Sequence, residues 1–260
     1  MDYEAVDQVF SRAEAIEKEQ GVQLALDFLE QCAEEARQSC GGDSLPYAAL
    51  LNQIGFVNRS HGRYPEAVEF FGRACDALAQ AVGKGHPEYA TAVMNLAGVR
   101  RLLGQLPESL QLFEEALGIY REAFGEESVM YLTALNNIAL SYQDMGDTGR
   151  ALRCHLQVCF GLEELSEATG QYAVEYGTSL CNTGVCFRAE GEEQLGRELM
   201  ERALAVYATV LPDSHFLVRH ARQTLEAQPG AVATAAGLAA AGTVATDAAA
   251  IHEAAEHARP

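Results

Sequence analysis

The chain has 260 residues, of which 37 are acidic and 18 basic, for a formal charge of −19. Such a surface repels phosphate backbones and anionic bilayers, which argues against nucleic acid and membrane as partners and leaves room for a partner with basic patches. No basic segment followed by an apolar run opens the chain, and no stretch of about 18 apolar residues occurs, so the expected location is the cytoplasm. Seven cysteines, Cys32, Cys40, Cys75, Cys154, Cys159, Cys181 and Cys186, include no CxxC pair. An odd number of thiols spread through apolar runs reads as small reduced core residues rather than disulfides or metal ligands.

In chain order, residues 1–46 read as a degenerate helical hairpin, with Ile16, Ala25, Leu29 and Cys32 spaced for one buried face. Residues 47–213 then divide into four similar units, about 47–87, 88–129, 130–171 and 172–213. Their marker glycines Gly62, Gly104, Gly146 and Gly191 are 42, 42 and 45 residues apart. Each glycine ends a first helix, where a left-handed cap is needed. Pro65 and Pro107 open the second helix, where a missing N–H costs nothing, and Asp147 is a suitable N-cap for the third unit. Gly55, Ala97, Ala139 and Gly184 let the two helices approach, and Ala67, Ser109, Ala151 and Gly196 answer them. Phe71, Phe113, His155 and Met200 follow at one register, then Ala74, Ala116, Val158 and Ala203. A capping helix is expected over 214–227, with Ser214 as its N-cap. An alanine- and glycine-rich flexible tail is expected over 228–260.

The run of a small residue on the first helix, a turn glycine and an Ala…Phe…Ala pattern on the second resembles the tetratricopeptide repeat family. The resemblance implies an all-α fold, a right-handed superhelical solenoid of antiparallel helix pairs. Two departures stand out: the usual period is about 34 residues, and the usual tryptophan is missing. The longer period, the pattern from Leu135 to Ala151 and His86-Pro87-Glu88 between units are similar to the kinesin-light-chain variety of the family.

A row of polar residues recurs on the first helices: Gln53, Asn95, Asn137 and Asn182 at one register, with Asn52 and Asn136 one position earlier. Arg59, Arg101 and Arg188, with Gln143 in the third unit, follow two turns along the same face. Asparagine is a middling helix former, so its repetition needs a reason. Amides offer donors and an acceptor, and a ladder of them can hold the backbone of an extended peptide. In the family these positions face the concave groove. The same amides could instead bridge neighbouring repeats, and both roles can coexist. The arginines could receive a carboxylate or could pair with local glutamates. Phe56, Leu140 and Val185, three residues after the row, are candidate pocket walls.

Catalytic patterns are missing. His252 and His257, like His215 and His220, are five apart, whereas a helical zinc pair needs four. No phosphate-cradling glycine loop and no nucleophile elbow occur. The expected function is a protein–protein interaction adaptor or scaffold, not an enzyme, with no cofactor and no metal, binding an extended peptide or partner protein in the groove. A self-assembling module that forms a homo-oligomer through its end helices or tail, and a peptide-sensing regulator, are the alternatives.

Overall fold

A computed structural model describes residues 3–227; the tail expected at 228–260, with His252 and His257, lies outside the described residues. Among the described residues every regular element is an α-helix. They are α1 (Tyr3–Gln20), α2 (Val22–Cys40), α3 (Leu45–Ser60), α4 (Tyr64–Ala81), α5 (Pro87–Leu102), α6 (Leu106–Phe124), α7 (Val129–Asp144), α8 (Thr148–Thr169), α9 (Ala173–Ala189), α10 (Glu193–Val210) and α11 (Phe216–Glu226). The chain forms two compact units, divided within α6 between Ile119 and Tyr120. In the first unit α2, α3, α4 and α5 each pack on the helix before, and α3 also meets α1 and α5. In the second, α7 packs on α8, α8 on α9, α9 on α10, and α11 on both α9 and α10. Within each unit one hairpin thus packs on the next mainly through its second helix, α4 against α5 and α8 against α9.

One backbone device repeats at the four turns that join the helices of each repeat. Gly62, Gly104, Gly146 and Gly191 have φ of 71°, 74°, 77° and 89°. Each glycine N–H donates to the carbonyl three residues back, and the following residue's N–H donates to the carbonyl five back, as in Arg63 to Asn58 (2.9 Å) and Asp147 to Tyr142 (2.8 Å). This paired closure satisfies the last carbonyls of a helix and turns the chain into the next one. Pro65 and Pro107 sit in the first turn of α4 and α6. The Asp147 carboxylate accepts from the Arg150 N–H at 2.9 Å. At the start of α11 the cap is His215, whose Nδ1 accepts from the Leu217 N–H, rather than the expected Ser214; the helix begins one residue later than Ser214 would require.

The core follows the repeat. Phe71, Phe113, His155 and Met200 are fully buried, as are Ala67, Ser109 and Ala151. The backbones of α9 and α10 meet at Gly184 and Gly196: a methyl group on Gly184 would lie 2.7 Å from the Gly196 carbonyl oxygen. In the N-terminal hairpin Ala25, Leu29 and Cys32 are buried and Ile16 is half-buried. Among the described residues no helix is long and apolar enough to cross a membrane.

Candidate functional site

The amides of the polar row find each other across hairpins. In the first unit Asn95 Nδ2 (α5) donates to Asn52 Oδ1 (α3) at 3.0 Å. In the second, Asn182 Nδ2 (α9) donates to Asn136 Oδ1 (α7) at 3.1 Å. Asn137 turns back on its own helix and donates to the Thr133 carbonyl at 3.0 Å. Exposure separates the two units. Asn52, Gln53 and Asn95 are half-buried, whereas Asn136, Asn137 and Asn182 are buried. One bond per pair consumes one donor hydrogen and one lone pair, so each first-unit amide keeps further hydrogen-bonding capacity at the surface.

The arginine register has four different environments. Arg59 is half-buried with its guanidinium 5.0 Å above the Phe56 ring, and burial holds its pKa below the usual value. Arg101 is buried. Arg188 is buried too, and its side chain is spent inside the molecule: Nε donates to Glu193 Oε2 at 2.9 Å, and Nη1 and Nη2 donate to the carbonyls of Thr224 and Ala227. Its partners come from the first residue of α10 and from the C-terminal end of α11, and the second of these spacing alone could not reveal. In the third repeat Gln143 stands in for arginine. Its Nε2 donates to the Cys186 thiol at 3.0 Å, which leaves its Oε1 to accept from His155 Nε2 at 3.1 Å. His155 Nδ1 is buried without a hydrogen-bond partner, and burial pushes the ring's pKa down to about 3, so the ring is neutral with its proton on Nε2. Of the three candidate pocket residues, Leu140 and Val185 are buried within the core, and Phe56 is half-buried beneath Arg59.

A second register escaped the sequence reading. Tyr47, Tyr89, Tyr131 and Tyr176, spaced 42, 42 and 45 like the turn glycines, stand near the starts of the first helices. Each faces the same position of its second helix. Tyr47 accepts from Arg73 at 3.1 Å, Tyr89 donates to Glu115 at 2.9 Å, Tyr131 meets Gln157, and Arg202 lies 5.5 Å over the Tyr176 ring. The signal is present in the 42-, 42- and 45-residue spacing that the tyrosines share with the turn glycines.

Acidic residues avoid the face that carries the amides. Helices α3, α5, α7 and α9 hold only Glu88, Asp144 and Glu175, against thirteen carboxylates on α4, α6, α8 and α10. The charge of −19 is thus borne mainly elsewhere, and the first-helix face presents amides, hydroxyls and arginines. Among the described residues no group of three or more histidine, cysteine or acidic side chains is placed to hold a metal ion.

A family model described as tetratricopeptide repeat matches residues 9–80 and 82–159, more than half of the chain. Among solved structures, BtubC (BKLC) from P. vanneervenii is similar at 21% identity and a TM-score of 0.71, over 78% of this chain and 80% of that one. The nearly identical TPR-like repeats of a Podospora anserina protein named for kinesin light chain are similar at 20% identity and a TM-score of 0.65, over 80% and 98%. MamA is similar at 11% identity and a TM-score of 0.51, over 80% and 96%. At these identities the likeness is one of fold. No curated protein matches the chain. Turn glycines, helix pairing, small-residue contacts and the matched model agree, and the chain belongs to the tetratricopeptide repeat family.

Proposed function

We propose that this chain is a protein–protein interaction adaptor that holds an extended peptide or partner protein along the face of its first helices. Tetratricopeptide repeats generally mediate protein–protein interaction. The observation that carries the reading is the half-buried amide set Asn52, Gln53 and Asn95, in which Asn52 and Asn95 are fixed by their mutual bond with donors and acceptors to spare. A side chain already locked in place loses little entropy when a ligand arrives. The buried amides Asn136, Asn137 and Asn182 hold the second unit together in this reading, and Arg59, on its Phe56 shelf, contributes a cation to the binding face. The reading is non-catalytic and places the protein in the cytoplasm, where its seven unpaired cysteines stay reduced.

The test compares capture from cell lysate by wild type and by Asn52→Ala/Gln53→Ala/Asn95→Ala, after circular dichroism shows that both fold. Each neutral hydrogen bond contributes about 0.5–1.5 kcal/mol, so loss of three weakens a partner by roughly one to three orders of magnitude. Equal capture of the same partner by both chains would sink the reading.

A further inference from the structure

Helix α11 is short, and its ends are held by side chains. It has eleven residues, and isolated helices under about 12–15 residues are marginal in water. Only Leu217, Val218 and Ala221 are buried, while Phe216 stays 48% exposed. His215 caps its start, and Arg222 pairs with Asp213 at 2.5 Å. At its end Arg188 donates to the Thr224 and Ala227 carbonyls at 2.5 and 2.6 Å, and Arg197 donates to the Leu225 carbonyl at 3.0 Å. The last carbonyls of a helix lack intrahelical donors, and cations there meet the negative end of its dipole. Glu193 fixes Arg188 at 2.9 Å and lies 3.8 Å from Arg197.

The start of α11 borders a half-open cavity of about 60 Å3. Leu132, Val158, Leu162 and Val174 form its apolar walls, Asn136, Glu175 and three hydroxyl residues of α7 and α9 form its polar edge, and Leu217 borders it from α11. Leu217 and Ala227 are ten residues apart, about 15 Å along a helix. The surface under α11 thus has two built ends, an apolar slot and a pair of arginines aimed at carbonyls. Charge favours the same occupant: α11 carries Arg219 and Arg222 with one carboxylate, Glu226, in a chain of charge −19.

We propose that α11 is the resident occupant of a helix-binding seat, and that a partner protein takes this seat by displacing it. The partner element is a basic amphipathic helix with apolar residues at i, i+1 and i+4, matching Leu217, Val218 and Ala221, whose chain ends at Arg188 and Arg197. A free terminal carboxylate would strengthen that end, because charge-assisted bonds are stronger than neutral ones. This inference extends the partner-binding reading to a second surface and does not rest on the first-unit amides.

The test uses the full chain, hydrogen exchange and a labelled synthetic peptide of residues 214–227 with a free C-terminus. In wild type the α11 amides exchange at least about tenfold faster than those of α9 and α10, as an element that opens by itself must. Leu217→Asp expels α11 from the slot, and that chain binds the peptide more tightly than wild type does. Arg197→Ala, a change at a half-exposed side chain, raises α11 exchange and peptide binding to a smaller extent, and it decides the matter if Leu217→Asp fails to fold. Exchange of α11 in step with α9 and α10, or no gain in peptide binding by a folded variant, would overturn the proposal. A C-terminally amidated peptide that binds as tightly as the free acid would overturn the arginine end of the seat. None of these outcomes bears on capture through Asn52, Gln53 and Asn95, so the two readings fail separately.

Discussion

Asn182 donates its amide hydrogen to Asn136 at 3.1 Å, joining two helices whose residues are 46 apart in sequence. Both side chains are buried. The Asn95–Asn52 bond is its counterpart in the first unit but lies at half-buried positions. Removing a buried partner leaves an acceptor unsatisfied, at about 1–3 kcal/mol, whereas water replaces a partner at an accessible site. Asn182→Ala should therefore lower unfolding free energy by about 1–3 kcal/mol in urea titrations, and Asn95→Ala by less than about 1 kcal/mol. Equal losses would mean that the two bonds play the same structural part.

His155 stands where other repeats carry Phe71, Phe113 and Met200, and its consequence is a pH dependence. Its folded pKa is lowered to about 3 from an ordinary 6.5, by burial. The unfolded chain therefore takes up this proton first as pH falls. The stability contributed by the neutral ring is complete above about pH 6.5 and is lost progressively toward pH 3. His155→Phe should flatten the pH dependence of the urea midpoint between pH 7 and pH 4.5. An unchanged slope would assign the acid sensitivity to other groups.

The glycines divide into those that a side chain would crowd and those that it would not. A methyl group on Gly196 would lie 2.5 Å from the Gly184 carbonyl oxygen, while one on Gly72 in α4 meets nothing within 4 Å. Gly196→Ala should cost about 1–3 kcal/mol by overpacking. Gly72→Ala should stabilise by about 0.5–1 kcal/mol through helix propensity. Thermal melts of the two variants should move in opposite directions.

How far the sequence went can be judged from particular residues. The turn glycines, Pro65, Pro107 and Asp147 were legible because each serves a local backbone need, fixed within a few residues. The amide row was legible as a register, but its pairing was not: whether Asn182 faces a ligand or Asn136 depends on how closely two hairpins stack. Arg188 shared a register with Arg59 and Arg101, yet its acceptors Thr224 and Ala227 belong to a helix that ends early, which periodicity does not encode. Leu140 and Val185 followed the helical period onto a face that the hairpins bury. Function carried no local signal beyond the resemblance itself.

The thiols give a further check. Cys40 is exposed, and its hydrogen bond with Ser39 lowers its pKa. Burial pushes Cys75, Cys181 and Cys186 up to about 12. Thiolate, not thiol, is the reactive form. Under native conditions at pH 7.5, an aromatic disulfide reagent should modify Cys40 first and leave Cys181 and Cys186 unmodified until the chain unfolds; mass spectrometry of the digest identifies each site. Early labelling of Cys181 or Cys186 would show that α9 opens without global unfolding.

The most direct test of partner binding on the first helices is photo-crosslinking from two faces of the first unit. Benzoylphenylalanine replaces Gln53, half-buried on α3, in one chain and Glu114, exposed on α6, in another. Partner adducts formed from position 53 and not from position 114 are the predicted result; adducts from position 114 alone would place the partner on the second helices and contradict the account.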